Sequence, residues 1–453
     1  MQTIWAETAL TPEGWQSGVL VTLHKGRIAK VTPHCAPRGS RVGCLLPAPV
    51  NAHSHAFQRA MAGMTERRGP DPRDTFWTWR QLMFRFLDRI TPAQVQAIAA
   101  FVQMEMLEAG YGTTVEFHYL HHQPGGVPYG QISEMSNRIA AAADQSGIGL
   151  TLLAVFYQTG GLDGRALTSG QQRFGNDPQR FARLAEKARA RVQEGPADWG
   201  FGIAPHSLRA APADAIREVI TLAPDGPIHM HLAEQQAEVA EVQAATGQRP
   251  VDWVLNTLSP DRRWHFIHCT RMTPQETEGL ARTGATAVLC PLTEASLGDG
   301  IFDGVRWTGA GGAIAIGSDS NIRIALAEEL RQFETSQRLR DHSRAVLATP
   351  DRSTGRRLFD AICMGGAAAA GRQTGALAVG NWADMLALDT SHPDLDGVTG
   401  DTILDSYIFA GDDRMIRDVW SAGRHMVSQG RHIHRDRIEA AYRAAVCDLR
   451  AAS

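Results

Sequence analysis

Lysine is nearly absent from this chain of 453 residues: Lys25, Lys30 and Lys187 are the only three among 45 basic residues, which leaves 42 arginines. The skew is compositional background rather than a binding patch, because 48 acidic residues bring the formal net charge to −3. That balance gives no electrostatic footprint for nucleic acid or an anionic membrane. The six cysteines, at 35, 44, 269, 290, 363 and 447, form neither a Cys-x-x-Cys pair nor a short-spaced framework. A disulfide-stapled scaffold is thereby excluded, and reduced thiols are expected. No apolar run reaches about eighteen residues. The opening Met1-Gln-Thr-Ile-Trp-Ala-Glu also lacks a basic stretch followed by an apolar one. The expectation is a cytoplasmic protein with neither membrane nor nucleic acid as partner.

What is present is alternation. The length alone suggests about three domains, but a (β/α)8 barrel absorbs roughly 250 to 400 residues by itself. Apolar, strand-like runs occur at 45–50, 113–117, 149–156, 200–204, 227–232, 264–268, 285–290 and 313–317. Helical patterns lie between them, near 178–194, 212–222, 250–258, 273–283 and 324–340. One more begins at Thr91-Pro92, an N-cap with proline at the first helical position. It carries Val95, Ile98, Ala99, Val102 and Met106 on one face and stops at Gly110. Eight strands alternating with helices point to an α/β fold, a closed parallel TIM-like barrel, over 47–373. The ends read differently. Residues 18–23 and 27–32 form a hairpin pattern about Lys25-Gly26, and similar β-rich stretches return at 382–388 and 418–427. Residues 1–46 and 374–435 are therefore expected to make one small β-sandwich domain, followed by a C-terminal helix over 436–453.

In such a barrel the chemistry sits at the carboxyl ends of the strands. Those ends here carry His53-Ser-His55, Glu116-Phe-His118-Tyr119, His206-Ser-Leu-Arg209, His229-Met-His231-Leu-Ala-Glu234, His268 and Ser318-Asp319. Imidazoles and carboxylates from different elements are what a divalent metal requires. A lone His-x-His is weak, and the chain has three. Residues i and i+2 of a strand share a face, so each is a candidate ligand pair. His432-Ile-His434 lies beyond the barrel in an Arg-rich tail and reads as a solvated face. Of the second pair, His231 is favoured as ligand and His229, a layer deeper, as a hydrogen-bonded core histidine. His118, His121 and His122 read as packing around Tyr119.

Pro49-Val-Asn-Ala-His-Ser-His55, His231-Leu-Ala-Glu234, the histidine at 268 and Ser318-Asp319 resemble the amidohydrolase superfamily. The stretches Phe76-Trp-Thr-Trp-Arg80, Glu116 to His122, Ala204 to Arg209, Pro291 to Asp299, Gly317 to Ile322 and Glu328 to Arg331 resemble its formimidoylglutamate deiminase family, over essentially the whole chain. The resemblance implies one divalent metal per chain, zinc or alternatively iron, held by His53, His55, His231 and Asp319. It implies Glu234 as proton shuttle, His268 as stabiliser of the tetrahedral adduct, and Asp319 as a second proton acceptor. Binuclear members bridge their metals with a carbamylated lysine on the fourth strand. No lysine lies between 31 and 186 here, and Lys187 falls in a helical segment, which favours one metal.

The implied substrate is a small dicarboxylate, N-formimino-L-glutamate, hydrolysed to N-formyl-L-glutamate and ammonia in histidine degradation. Carboxylates call for guanidinium forks, which the resemblance assigns to Arg80 and Arg209. Gln58, Tyr119 and His206 are the further substrate contacts, and a homodimer is implied. Trp77 and Trp79 read equally as a lid or a buried anchor. Thr293-Glu294 and Gly298-Asp299 are shared with the family but carry no role derivable from sequence. The alternatives are a deaminase of the same superfamily acting on a nucleobase-like ring, or an inactive scaffold relative.

Overall fold

The computed structural model describes residues 2–66 and 83–451. Four strands open the chain: β1 (Gln2–Thr11), β2 (Gly14–His24), β3 (Arg27–Thr32) and β4 (Ser40–Pro47). The β2–β3 hairpin turns on Lys25 (φ 48°) and Gly26 (φ 77°), two positive φ values in succession, as a two-residue turn matched to strand twist requires. The strand expected at 45–50 is divided. β4 ends at Pro47 and β5 (Val50–Ser54) starts after Pro49, so Pro47-Ala-Pro49 marks the passage from the end sheet into the barrel. Proline cannot donate to a ladder, and two of them end the pairing there.

The barrel continues with β6 (Thr113–His118), β7 (Gly149–Phe156), β8 (Gly200–Pro205), β9 (Ile228–Leu232), β10 (Trp264–His268), β11 (Thr286–Leu289) and β12 (Ala313–Ile316). β5 to β12 follow sequence order and pair in parallel. The ring closes through a bridge between Ser54 and Asp319. Around it the His53 carbonyl accepts from the Ser318 and Asp319 N–H groups at 3.1 and 2.9 Å, and the His55 N–H donates to the Asp319 carbonyl at 2.8 Å. Gly317 makes this seam possible: a Cβ there would lie 2.7 Å from the backbone nitrogen and oxygen of His53. Strands covered on both faces read as continuous apolar runs, and every residue of β6, β7, β9, β10 and β11 is buried.

The helix at Pro92–Glu108 has the expected start: Thr91 Oγ1 accepts from the Gln94 N–H, and the Gln94 side chain accepts from the Thr91 N–H. Helices at Glu134–Ser146 and Gln236–Thr246 add to those read from the sequence, and Thr354–Ala370 is the final helix of the barrel that the Ala/Gly composition of 365–372 leads one to expect. The last encloses much of the Ala/Gly-rich 365–372 stretch.

The expected sandwich of the two ends takes the form of one eight-stranded sheet. After the barrel come β13 (Met385–Leu388), β14 (Ile416–Ser421), β15 (Arg424–Ser428) and β16 (Arg431–His432), giving the order β16-β15-β14-β13-β4-β1-β2-β3. Strand alternation serves two cores. Leu45, Met385, Ala387 and Trp420 join Ile4, Val19 and Val21 in a small core of the sheet's own, while Cys44, Leu46, Leu386, Leu388 and Val419 join the main core. A buried ion cluster pins sheet to barrel. Arg372 reaches Asp384 at 2.9 Å and Asp198 at 3.1 Å, and Arg424 reaches Asp198 at 2.8 Å. His432 corrects the solvated-face reading of the tail: it is buried, with Nε2 2.8 Å from the Ser146 carbonyl, while His434 is exposed. All six cysteines are free. Among the described residues no helix is long and apolar enough to cross a membrane.

Candidate active site

Barrel closure brings together side chains far apart in the chain. His53 and His55 leave the end of β5, His231 the end of β9, and Asp319 the turn after β12. All four are buried, with one ligand atom from each within 4.8 Å of the others. The Nε2 atoms of His53 and His55 each stand 3.2 Å from Asp319 Oδ1, and the Nε2 atoms of His231 and His53 are 3.1 Å apart. The far side of two rings fixes their tautomers. His55 Nδ1 donates to the Phe117 carbonyl and His231 Nδ1 to the His206 carbonyl, both at 3.0 Å. Burial, reinforced by the charge of His55, pushes His53 down to about 3, and burial lowers His55 and His231 as well.

Neutral rings that donate from Nδ1 present lone pairs at Nε2. The lone pair of His55 faces the Asp319 carboxylate at 3.2 Å, an anion it repels unless a cation lies between, and that of His231 faces His53 Nε2 at 3.1 Å. The donor set thus fits one divalent ion, with backbone carbonyls orienting two of its imidazoles from behind.

His268, at the end of β10 with φ 70°, borders this cluster. Its Nδ1 donates to Glu294 Oε1 at 3.2 Å. Its Nε2 stands 4.0 Å from Glu234 Oε1 and 3.9 Å from Asp319 Oδ2. Burial works against a charged ring, but Glu234, Glu294 and Asp319 outweigh it and raise His268 to about 10. Burial likewise raises Glu234, opposed by His268 and Arg209. Glu234 follows Ala233, another positive-φ residue (51°), and this bend is held by Glu238, whose carboxylate accepts from the Ala233 and Glu234 N–H groups at 3.3 and 3.0 Å.

A cavity of about 50 Å³ opens over these groups. Of the expected substrate contacts, Gln58, Tyr119, His206 and Arg209 all line it, beside His55, His231, Glu234, His268 and Asp319. Gln58 Nε2 donates to the Tyr119 hydroxyl at 2.9 Å, and the His206 ring meets that of Tyr157 edge-on at 4.7 Å. Arg80, Trp77 and Trp79 lie outside the described residues. Met83, Tyr157, Phe174 and Leu297 supply the apolar walls. The remaining histidines sit elsewhere, as expected: His229 Nε2 is 2.7 Å from the Ala369 carbonyl, His121 Nε2 is 2.8 Å from that of Val155, and His122 Nε2 is 2.9 Å from Asn176 Oδ1. His118 packs edge-on against His121 and does not line the cavity.

Three further groups had no role assigned from the sequence. Glu116 accepts from Ser54 Oγ at 2.6 Å and from the Ala56 N–H at 2.8 Å, clamping the loop that carries His55. Burial raises it to about 7, against those two hydrogen bonds. Asp299, raised to about 9 by burial and the nearby charge of Glu234, accepts from the Gln235 amide. Tyr157 gave no signal beyond its place at the end of a strand.

An eight-stranded barrel with three histidines and an aspartate gathered at its seam, under a cavity lined by further proton-transfer groups, defines a metal-site barrel hydrolase. The profile of the amidohydrolase family matches residues 44–426, and that of the N-terminal domain of the formimidoylglutamate deiminase HutF matches 1–40. A formimidoylglutamate deiminase of Pseudomonas aeruginosa is 44% identical over 98% of both chains. The crystal structure of an amidohydrolase from Brucella melitensis superposes with a TM-score of 0.95, at 45% identity, over 99% of this chain and 100% of that one. A 5-methylthioadenosine/S-adenosylhomocysteine deaminase of Halobacterium salinarum is 26% identical over 92% of this chain and 88% of its own. The chain belongs to the amidohydrolase family and, within it, to the formimidoylglutamate deiminases.

Proposed function

We propose that the protein hydrolyses N-formimino-L-glutamate to N-formyl-L-glutamate and ammonia, as a step of histidine degradation. One observation carries the reading beyond family membership. The buried Arg209 and the carboxylate of Glu234 line the same cavity as His55, His231 and Asp319, three of the four members of the candidate metal cluster. A guanidinium fork, a proton-transfer carboxylate and a divalent-ion site are what a carboxylated amidine needs.

Bound among His53, His55, His231 and Asp319, a divalent ion such as zinc supplies the Lewis acidity that makes water nucleophilic near neutral pH. Arg209 binds one substrate carboxylate and sets the formimino carbon over the cluster. Glu234 takes a proton from the attacking water and delivers it to the formimino nitrogen. The Nε2–H of His268 faces the space between Glu234 and Asp319, where it donates to the oxygen gaining charge on the adduct. Asp319 accepts the second water proton as the formyl C=O forms and the C–N bond breaks. Both water protons end on the departing nitrogen. Gln58, Tyr119 and His206 hydrogen-bond the polar atoms of the substrate, and the walls of Met83, Phe174 and Leu297 keep bulk water out.

The test compares Arg209→Met with the unaltered enzyme on N-formimino-L-glutamate and on two analogues, each lacking one carboxylate. A hydrogen-bonded charge contributes about 1.5 to 3 kcal/mol, so kcat/KM falls by roughly ten- to a hundredfold on the substrate and on the analogue that keeps the recognised carboxylate. The analogue without that carboxylate is spared. Equal losses on all three contradict the assignment.

A further inference from the structure

His268 does its work through Nε2, so something must hold the ring from the other side. Glu294 occupies that side. It lies in the first turn of the short helix Pro291–Leu297 after β11, is nearly fully buried, and touches no member of the His53, His55, His231 and Asp319 cluster in the hydrogen bonds and ion pairs it makes. A single oxygen, Oε1, accepts two hydrogen bonds: one from His268 Nδ1 at 3.2 Å and one from the Cys290 N–H at 2.8 Å. The second bond is local, four residues back along the chain, and fixes where the oxygen sits. The first spans 26 residues and joins the ends of two neighbouring strands. A carboxylate pinned in this way can accept only a proton carried on Nδ1, and it turns the imidazole plane so that Nε2 points at the 4.0 and 3.9 Å gaps to Glu234 and Asp319. Those gaps are too long for direct hydrogen bonds. They suit a substrate or water atom lying between.

We propose that Glu294 is a positioning residue for this reaction: it acts solely through His268, fixing the ring so that Nε2–H meets the oxygen that gains charge on the adduct. The proposal rests on the catalytic use of His268 described above. It predicts a dependence that an ordinary helix-start glutamate would not show, since a residue acting through one partner loses its effect when that partner is removed.

The experiment is a double-mutant cycle on metal-loaded protein, with Glu294→Ala, Glu294→Gln, His268→Ala and the Glu294→Ala/His268→Ala pair. Glu294→Ala lowers kcat about a hundredfold with KM changed less than about twofold, a loss of the size expected for misaligning a reacting group. Glu294→Gln, which keeps an acceptor oxygen for both N–H groups, recovers kcat to within about tenfold of the unaltered enzyme. In the His268→Ala background, Glu294→Ala costs nothing further. A structural role gives instead a further loss in the double variant, a loss carried by KM, or an unchanged kcat in Glu294→Ala, and any of these overturns the proposal. A readout independent of turnover accompanies the cycle. The hydrogen-bonded Nδ1 proton of His268, followed by nitrogen-15 NMR, is present in the unaltered protein and in Glu294→Gln and absent in Glu294→Ala. Its persistence in Glu294→Ala refutes the contact itself, whereas an inactive unaltered protein that shows the resonance refutes only the proposed reaction.

Discussion

The His53, His55, His231 and Asp319 donors fit one divalent ion. Replacing His231 removes one donor and leaves the opposed groups on His53, His55 and Asp319 short of a ligand. His231→Ala is therefore expected to bind well under one equivalent of divalent metal per chain by elemental analysis and to lose at least about a thousandfold in kcat/KM, because both nucleophile formation and orientation fail. A full equivalent in that variant would place the metal elsewhere. Glu234 yields a prediction in pH. Burial raises its pKa, with His268 and Arg209 opposing. A base must be ionised to accept a proton, so kcat/KM rises with pH through a value above the ordinary carboxylate range and then levels. Glu234→Gln removes that limb along with most of the activity, and a limb that survives in the residual rate belongs to another group. At this scale the legible residues were those with a local pattern: His53-Ser-His55, His231-Leu-Ala-Glu234 and Ser318-Asp319 stand at the ends of recognisable strands. Glu294 could be placed at the right end of the barrel but given no role, because its partner lies 26 residues away and the link exists only after two strands are paired. Glu116, which answers Ser54 across 62 residues, was illegible for the same reason.

The elements were legible where periodicity and punctuation coincided. The helix at Pro92–Glu108 was marked at both ends by Thr91-Pro92 and Gly110, and the strands at 113, 149, 200 and 264 began where their apolar runs began. The run at 45–50 misled because it is apolar throughout, whereas pairing is decided by the two prolines inside it. The element most exposed to a small change is the β5–β12 seam. A methyl group at Gly317 would meet the His53 backbone at 2.7 Å. Gly317→Ala is therefore expected to displace the end of β5 and lower kcat about a hundredfold. Its secondary structure by circular dichroism should stay unchanged. Unaltered kinetics would mean that the seam has slack. The Thr91 cap has no such reach into the site. Thr91→Ala costs about 1 kcal/mol locally, seen as roughly fivefold faster amide exchange in the first turn at constant activity.

At the scale of the whole molecule, two sheets built from interleaved parts of the chain share a core. The length that suggested about three domains resolves into one elaborated barrel and one sheet made from both ends. Near-neutral overall charge conceals buried ionisable groups that couple stability to pH. Asp413 accepts from the Tyr407 hydroxyl at 2.7 Å and the Ala327 N–H at 3.1 Å, yet burial outweighs these and raises it from about 3.8 to about 6. A carboxyl raised on folding binds more protons folded than unfolded between those values. Its contribution therefore falls as pH rises from about 4 to about 6 and is constant above. Asp413→Asn removes the buried charge while keeping the acceptor, so its Tm relative to the unaltered protein should climb across that window and then flatten. A difference independent of pH would contradict the burial argument.

The central claim is the reaction, and its most direct test is product analysis with metal-loaded protein. Incubated with N-formimino-L-glutamate, adenosine or guanine in parallel, the protein is predicted to release ammonia from the first alone, in equal amount to the N-formyl-L-glutamate formed. Ammonia from a nucleobase or nucleoside, with none from N-formimino-L-glutamate, would contradict the account.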